Sequence, residues 1–93
     1  LKDSYYVYML LCADQTFYIG TSNNVEKRVK THNSGKGAKY TKTRRPVQLL
    51  YTETLPDKSS ALKREIELKK FTRVKKEKLL LNAGINWRNY LIK

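Results

Sequence analysis

Residues 5–12, Tyr-Tyr-Val-Tyr-Met-Leu-Leu-Cys, form an unbroken aromatic and aliphatic run. A strand with one face in water alternates apolar and polar side chains, so this run fits a strand covered on both faces. The remainder of a 93-residue chain must supply those covers. That is one domain with a modest core. Ala13-Asp14-Gln15 is a turn signal, and residues 16–20 read as a second, shorter strand, which makes the pair a hairpin. Its register decides which side chains meet. A two-residue turn with Ala13 opposite Thr16 places Tyr18 across from Leu11 and leaves Tyr8 on the other side of the sheet. An odd loop or a bulge puts Tyr8 and Tyr18 on one face, because side chains alternate with period two.

Beyond the hairpin, Ser22-Asn23-Asn24 offers N-caps for a helix over residues 25–34, closed by Gly35. Val25, Val29 and His32 recur there at helical spacing, with Arg28 alongside. Residues 35–46 read as a basic loop with two glycines, lacking the Gly-x-x-x-x-Gly-Lys-Ser/Thr of a phosphate-binding loop. A third strand is expected over 47–54. A helix capped by Asp57 or a serine should run to about Phe71, and a basic helix from about Arg73 to about Asn82, stopped by Gly84. The tail carries Trp87 and Tyr90 and is expected to pack back on the core. No repeat or linker interrupts residues 1–93; the motif-bearing part covers about 5–71, and the basic helix and tail cover 72–93.

Twenty Lys and Arg against eight Asp and Glu give a net charge of +12. Such a charge speaks about partners: it attracts polyanions, with nucleic acid first among them. An anionic membrane surface fits less well, since the basic segments lack a broad Trp/Leu face. No stretch approaches the length of a membrane span. Cys12 is the only cysteine and lies in the apolar run, which excludes an intramolecular disulfide and suits a reducing, cytoplasmic setting.

Five residues stand in an order that carries chemistry. Tyr8 in Tyr-Val-Tyr is followed ten positions on by Tyr18 in Tyr-Ile-Gly, then by Arg28 and His32 one helical turn apart, then by Glu65 on the next helix. This arrangement resembles the GIY-YIG nuclease superfamily over about residues 5–71. The Asn-Ser-Gly-Lys-Gly-Ala-Lys-Tyr-Thr stretch at 33–41 is similar to that of the small stand-alone bacterial members. The resemblance implies an α+β fold in the order β-β-α-β-α-α, with a small three-stranded antiparallel sheet flanked by helices. It implies a metal-dependent endonuclease acting on DNA, structure-selective or in repair. Tyr18 would take a proton from the attacking water, Arg28 hold a phosphate oxygen, and Glu65 bind one divalent cation. Mg²⁺ or Mn²⁺ suits a carboxylate oxygen. Tyr8 would orient the water or a phosphate oxygen, and His32 would assist the base or bind phosphate. Tyr6 stands where the family's first motif has glycine, and Thr21 where repair nucleases often carry a lysine.

The residue chemistry agrees with those roles. Arginine's planar fork can hold phosphate oxygens two at a time. A phenol with an ordinary pKa near 10 is a poor base at neutral pH unless cations depress that value. Lys36, Lys39, Tyr40, Lys42, Arg44 and Arg45 of the basic loop, with Lys69, Lys70 and Arg73, are the expected nucleic-acid contacts, on DNA or on RNA. A protein partner for targeting fits a lone catalytic module.

Each residue also has a plainer reading: tyrosines on an amphipathic strand, a solvated arginine, a helix-terminal histidine, an ion-paired glutamate. Glu65 is the hardest to explain that way, because it sits among Ala61, Leu62, Ile66 and Leu68 on or beside a packing face, where a carboxylate needs a partner. A non-catalytic, basic nucleic-acid-binding module is the competing function. A small RNA- or ribosome-associated protein is a third, resting on charge alone.

Overall fold

The computed structural model describes residues 4–91. Strand β1 (Tyr5–Leu11) is the middle of a three-stranded antiparallel sheet, between β2 (Phe17–Ser22) and β3 (Gln48–Leu55). That central place accounts for the uninterrupted apolar run. Val7, Met9 and Leu11 on one face join Ile19 and Leu50 in a core closed by Ala61, Leu68, Leu80 and Trp87. Tyr8, Leu10 and Cys12 on the other face lie with Val47 beneath Tyr18, Val25 and Val29.

The helices are α1 (Val25–Asn33), α2 (Lys39–Lys42), α3 (Lys58–Lys69) and α4 (Arg73–Asn82), followed by a 3₁₀ turn at Trp87–Tyr90. Asn24 caps α1, Asp57 caps α3 and Thr72 caps α4, each side chain accepting from a backbone N–H three residues on. Gly35 and Gly84 follow α1 and α4 with φ of 86° and 78°, the left-handed geometry that ends a helix without a Cβ clash. Trp87 is buried against the first core, with Phe17 edge-on at 5.6 Å, so the tail does pack back.

The hairpin loop is odd. Cys12 N–H donates to Thr16 O, and Gln15 N–H to Cys12 O, both at 2.9 Å, enclosing residues 13–15. Gln15 takes φ 68°, the left-handed residue that three-residue hairpin loops need. Tyr8 therefore lies opposite Gly20 and Tyr18 opposite Leu10, and the two tyrosines share a face.

Two expectations need amendment. The basic loop contains the one-turn helix α2, since Tyr40 and the buried Thr41 find tertiary partners that outweigh weak local propensity. On α3 the inward stripe is Ala61, Glu65 and Leu68, spaced by four and three, whereas Leu62 and Ile66 are 40% and 57% exposed.

One ion-pair network ties α3 to β3. Arg64 donates to both Glu53 oxygens, at 2.7 and 3.0 Å, and also to Glu67, while the Tyr51 hydroxyl donates to Glu53 at 2.6 Å. Arg64 holds the Glu53 carboxyl below the usual carboxylate range, and burial with Glu53 pushes Tyr51 up to about 12. A depressed carboxyl stabilises the fold above the unfolded-state pKa, and that stability is lost as pH falls through the folded value. Thermal stability is expected to drop on acidification below about pH 4.5. Glu53→Gln should flatten that drop and cost about 2 kcal/mol at pH 7 by leaving Arg64 underpaired, measured by thermal melts across pH.

Candidate active site

The site is built at the face where α1 and α2 cover the tyrosines. β1 supplies Tyr8 and β2 supplies Tyr18, their rings 6.4 Å apart. α1 carries Arg28 and His32 inward, four residues apart. The imidazole of His32 is fully buried, edge-on to Tyr18 at 5.1 Å and to Tyr8 at 5.9 Å. Its Nε2 lies 2.8 Å from the Tyr8 hydroxyl, and its Nδ1 lies 2.8 Å from the Thr41 Oγ1 of α2.

Two glycines make this packing possible. A Cβ on Gly20 would stand 2.6 Å from the Tyr8 hydroxyl, and one on Gly37 would stand 2.4 Å from His32 Nδ1 and 2.8 Å from its Cα. Both positions are filled by the site itself.

Burial dominates the titration of the inner pair. It raises Tyr8 despite the opposing pull of Arg28, and it lowers His32, with Arg28 adding in the same direction. Both are therefore neutral near pH 7: Tyr8 is a protonated phenol, not a phenolate. Arg28, Tyr18 and, more weakly, Glu65 act electrostatically on the Tyr8 hydroxyl, while Tyr8, Tyr18 and His32 are in direct ring contact.

Glu65 lies on α3, on the stripe of Ala61 and Leu68. Its side chain is 17% exposed and pairs with Lys69 Nζ at 3.1 Å, one turn on. Among the described residues no group of three or more His, Cys, Asp or Glu side chains converges. A single carboxylate still fits Mg²⁺ or Mn²⁺, because such ions retain several waters and take further oxygens from a phosphate.

The basic residues divide by what already holds them. Tyr40 stacks on Tyr18 at 6.0 Å, and the Arg44 guanidinium lies 3.8 Å over the Tyr40 ring. Arg44 also pairs with Asp14 of the hairpin loop at 3.0 Å. Tyr40 is nevertheless 38% exposed and keeps its hydroxyl to offer to phosphate. Arg45 donates to Lys42 O and Asn33 O, tying the loop to the end of α1. Lys36, Lys39 and Lys42 are exposed and form no ion pair among the described residues, and Lys70 is exposed at the end of α3. Arg73 stands apart: it donates to Gln15 O at 2.7 Å, pairs with Glu77, and lies 3.6 Å over Phe17. Those are bonds that brace the hairpin loop.

Thr41 and Gly37 are the site residues that motif reading passed over. Their signal lay in the 33–41 stretch, visible as a segment but not as contacts to His32. An apolar groove of about 590 Å³ lined by Tyr6, Val25, Val29 and Leu49 includes none of the five motif residues. No described helix is long and apolar enough to cross a membrane.

The fold and the segment that carries the motif have counterparts among known proteins. The GIY-YIG catalytic domain matches residues 4–78. A UPF0213 protein of Staphylococcus saprophyticus is 54% identical over 78 residues, covering 84% of this chain and 95% of that protein. Among solved structures, the UPF0213 protein of Bacillus halodurans aligns with a TM-score of 0.58 at 44% identity, over 87% of this chain and 86% of its own. A protein of E. faecalis aligns at 0.61 and 46% identity, over 89% and 88%. GIY-YIG domains form a nuclease superfamily that generally uses a divalent metal and acts on nucleic acid. With the family model spanning residues 4–78 and relatives covering most of its length, this chain belongs to the GIY-YIG family.

Proposed function

We propose that the protein is a metal-dependent endonuclease that hydrolyses phosphodiester bonds in DNA. The Tyr8–His32 hydrogen bond at 2.8 Å, with the Tyr18 ring against both and Arg28 four residues before His32 on the same helix, is the observation that carries this reading. Tyr18 is the more accessible of the two phenols and takes the proton of the attacking water. Arg28 holds a non-bridging phosphate oxygen with its fork, placing positive charge where negative charge grows. Tyr8, kept protonated by burial, orients the water or a phosphate oxygen. Glu65 is the residue to hold Mg²⁺ or Mn²⁺, which when bound supplies charge stabilisation at the phosphate. Hydrolysis adds the water oxygen to phosphorus and breaks the bond to one sugar oxygen; Tyr18 takes the water's proton as a phenolate, having lost its own to solvent, and the leaving oxygen takes up a proton from solvent.

Lys36, Lys39 and Lys42, with Lys69 and Lys70, would contact the backbone. Changing the three loop lysines together to alanine should lower the slope of log affinity against log salt by about 2–3, as counterion release predicts. Fluorescence anisotropy with labelled DNA at several salt concentrations measures it.

The Glu65–Lys69 ion pair favours a second reading, a binding module in which Glu65 is only a structural partner. The deciding experiment is cleavage of labelled duplex, single strand, flap, junction and RNA with Mg²⁺ or Mn²⁺. Metal-dependent cutting supports the nuclease and reveals the preferred shape. Binding across the panel without cutting supports the module. Selection of DNA by shape, a role in repair and recruitment by a partner protein belong to the proposal and follow from which substrate is cut.

A further inference from the structure

The buried groups around His32 form a chain whose donors and acceptors can be counted. The Thr41 hydroxyl, itself fully buried, has one proton, and the Ala38 carbonyl of its own turn lies 3.0 Å away in position to accept it. The Thr41 oxygen is then an acceptor for His32 Nδ1 at 2.8 Å. With the ring proton on Nδ1, Nε2 is bare and accepts from the Tyr8 hydroxyl at 2.8 Å.

The reverse order gives up a bond. If Nε2 carried the proton and donated to Tyr8, Thr41 would have to donate to Nδ1 and could no longer donate to the Ala38 carbonyl at 3.0 Å. One contact pulls the other way. Ala38 N–H points at Nδ1, but at 3.4 Å it lies beyond the usual range for such bonds. The shorter 3.0 Å bond from Thr41 to the Ala38 carbonyl, which only the Nδ1–H order keeps, outweighs it.

We propose that Thr41 is a positioning residue that fixes His32 as the Nδ1–H tautomer. Tyr8 then donates to His32, His32 to Thr41, and Thr41 to the Ala38 carbonyl, in one direction along the chain. Tyr8 spends its only proton on His32 and presents bare lone pairs to the site, ready to accept from the attacking water or from Arg28. Gly37 lets the loop lie against the ring so that Thr41 can reach it. Burial lowers the His32 pKa, which keeps the ring neutral and this order intact near neutral pH. The groups facing the pair are Tyr18 from β2, Arg28 from α1, Thr41 from α2 and the Glu65 charge from α3. The tautomer stands on this geometry alone; its consequence for cleavage rests on the nuclease reading.

The protein has one histidine, so ¹⁵N-histidine labelling gives one pair of ring signals. The wild type at pH 7.5 is expected to show a protonated Nδ1 and a bare Nε2. Thr41→Val should shift the ring toward Nε2–H, and Thr41→Ser should restore the original pattern. In a cleavage assay Thr41→Val should lower kcat about tenfold with KM within about twofold, as loss of an orienting partner does, and Thr41→Ser should recover it. A wild-type ring protonated on Nε2, or a Thr41→Val protein still protonated on Nδ1, overturns the proposal. Should Thr41→Val fail to fold, the wild-type and Thr41→Ser spectra decide. A correct tautomer in a protein that cuts nothing would leave the positioning intact and count against the nuclease alone.

Discussion

Glu65→Ala is expected to lower metal-dependent cleavage by about 10²–10³-fold, the loss seen when one group stabilising transition-state charge is removed. DNA affinity should stay the same or rise slightly, because a negative charge near phosphate is gone. The reason lies in where the residue sits. A carboxylate on the inward stripe of α3 between Ala61 and Leu68 carries a desolvation cost, and a half-exposed lysine one turn away returns little of it. An exposed i,i+4 pair contributes only about 0.3–0.5 kcal/mol. Cleavage rates at saturating DNA, with affinity measured by anisotropy, separate the two effects. Glu65→Ala should bind Mn²⁺ more weakly than wild type by titration, a readout independent of turnover. Undiminished cutting by Glu65→Ala would remove the metal role.

Gly37→Ala and Gly20→Ala are expected to have the largest effects on the fold. At Gly37 the added carbon meets the His32 ring at 2.4 Å and its backbone at 2.8 Å. Helix backbone cannot give by that much, so the loop must lift away and take Thr41 from the ring. At Gly20 the carbon meets the end of the Tyr8 ring, which is held by His32 and enclosed in the second core. Overpacking of this kind costs about 1–3 kcal/mol. For a domain of this size that lowers the melting temperature by roughly 4–8 °C per kcal/mol. Thermal melts measure it, and cleavage at a temperature where both variants remain folded should still be reduced, since the tyrosine–histidine contact is lost. A Gly37→Ala protein with wild-type stability and activity would contradict the close approach of loop and ring.

Those glycines show what could be read in advance and what could not. Gly20 was visible inside Tyr-Ile-Gly, although its purpose, room for Tyr8, follows from the register. The register itself was legible: period-two alternation demands an odd loop if both tyrosines share a face, and three residues form it. The caps at Asn24 and Asp57, the stop at Gly84 and the bounds of α4 also follow from local chemistry, which needs only neighbouring residues. Leu62 and Ile66 misled because a helix with several apolar residues has more than one plausible inward face, and contacts alone choose between them.

Alone, the sequence was enough to determine a strand covered on both faces, the hairpin, the starts of the three longer helices and the order of Tyr8, Tyr18, Arg28, His32 and Glu65. Each depends on periodicity or on spacing along the chain. Tertiary structure decided the rest: the turn of helix in the basic loop, the Arg64–Glu53 clamp, the bracing of the hairpin by Arg73, and the enclosure of His32 by Tyr8, Thr41 and Gly37. Most of those features join residues nine or more positions apart, where hydrogen-bond distance and burial are set by how the layers meet.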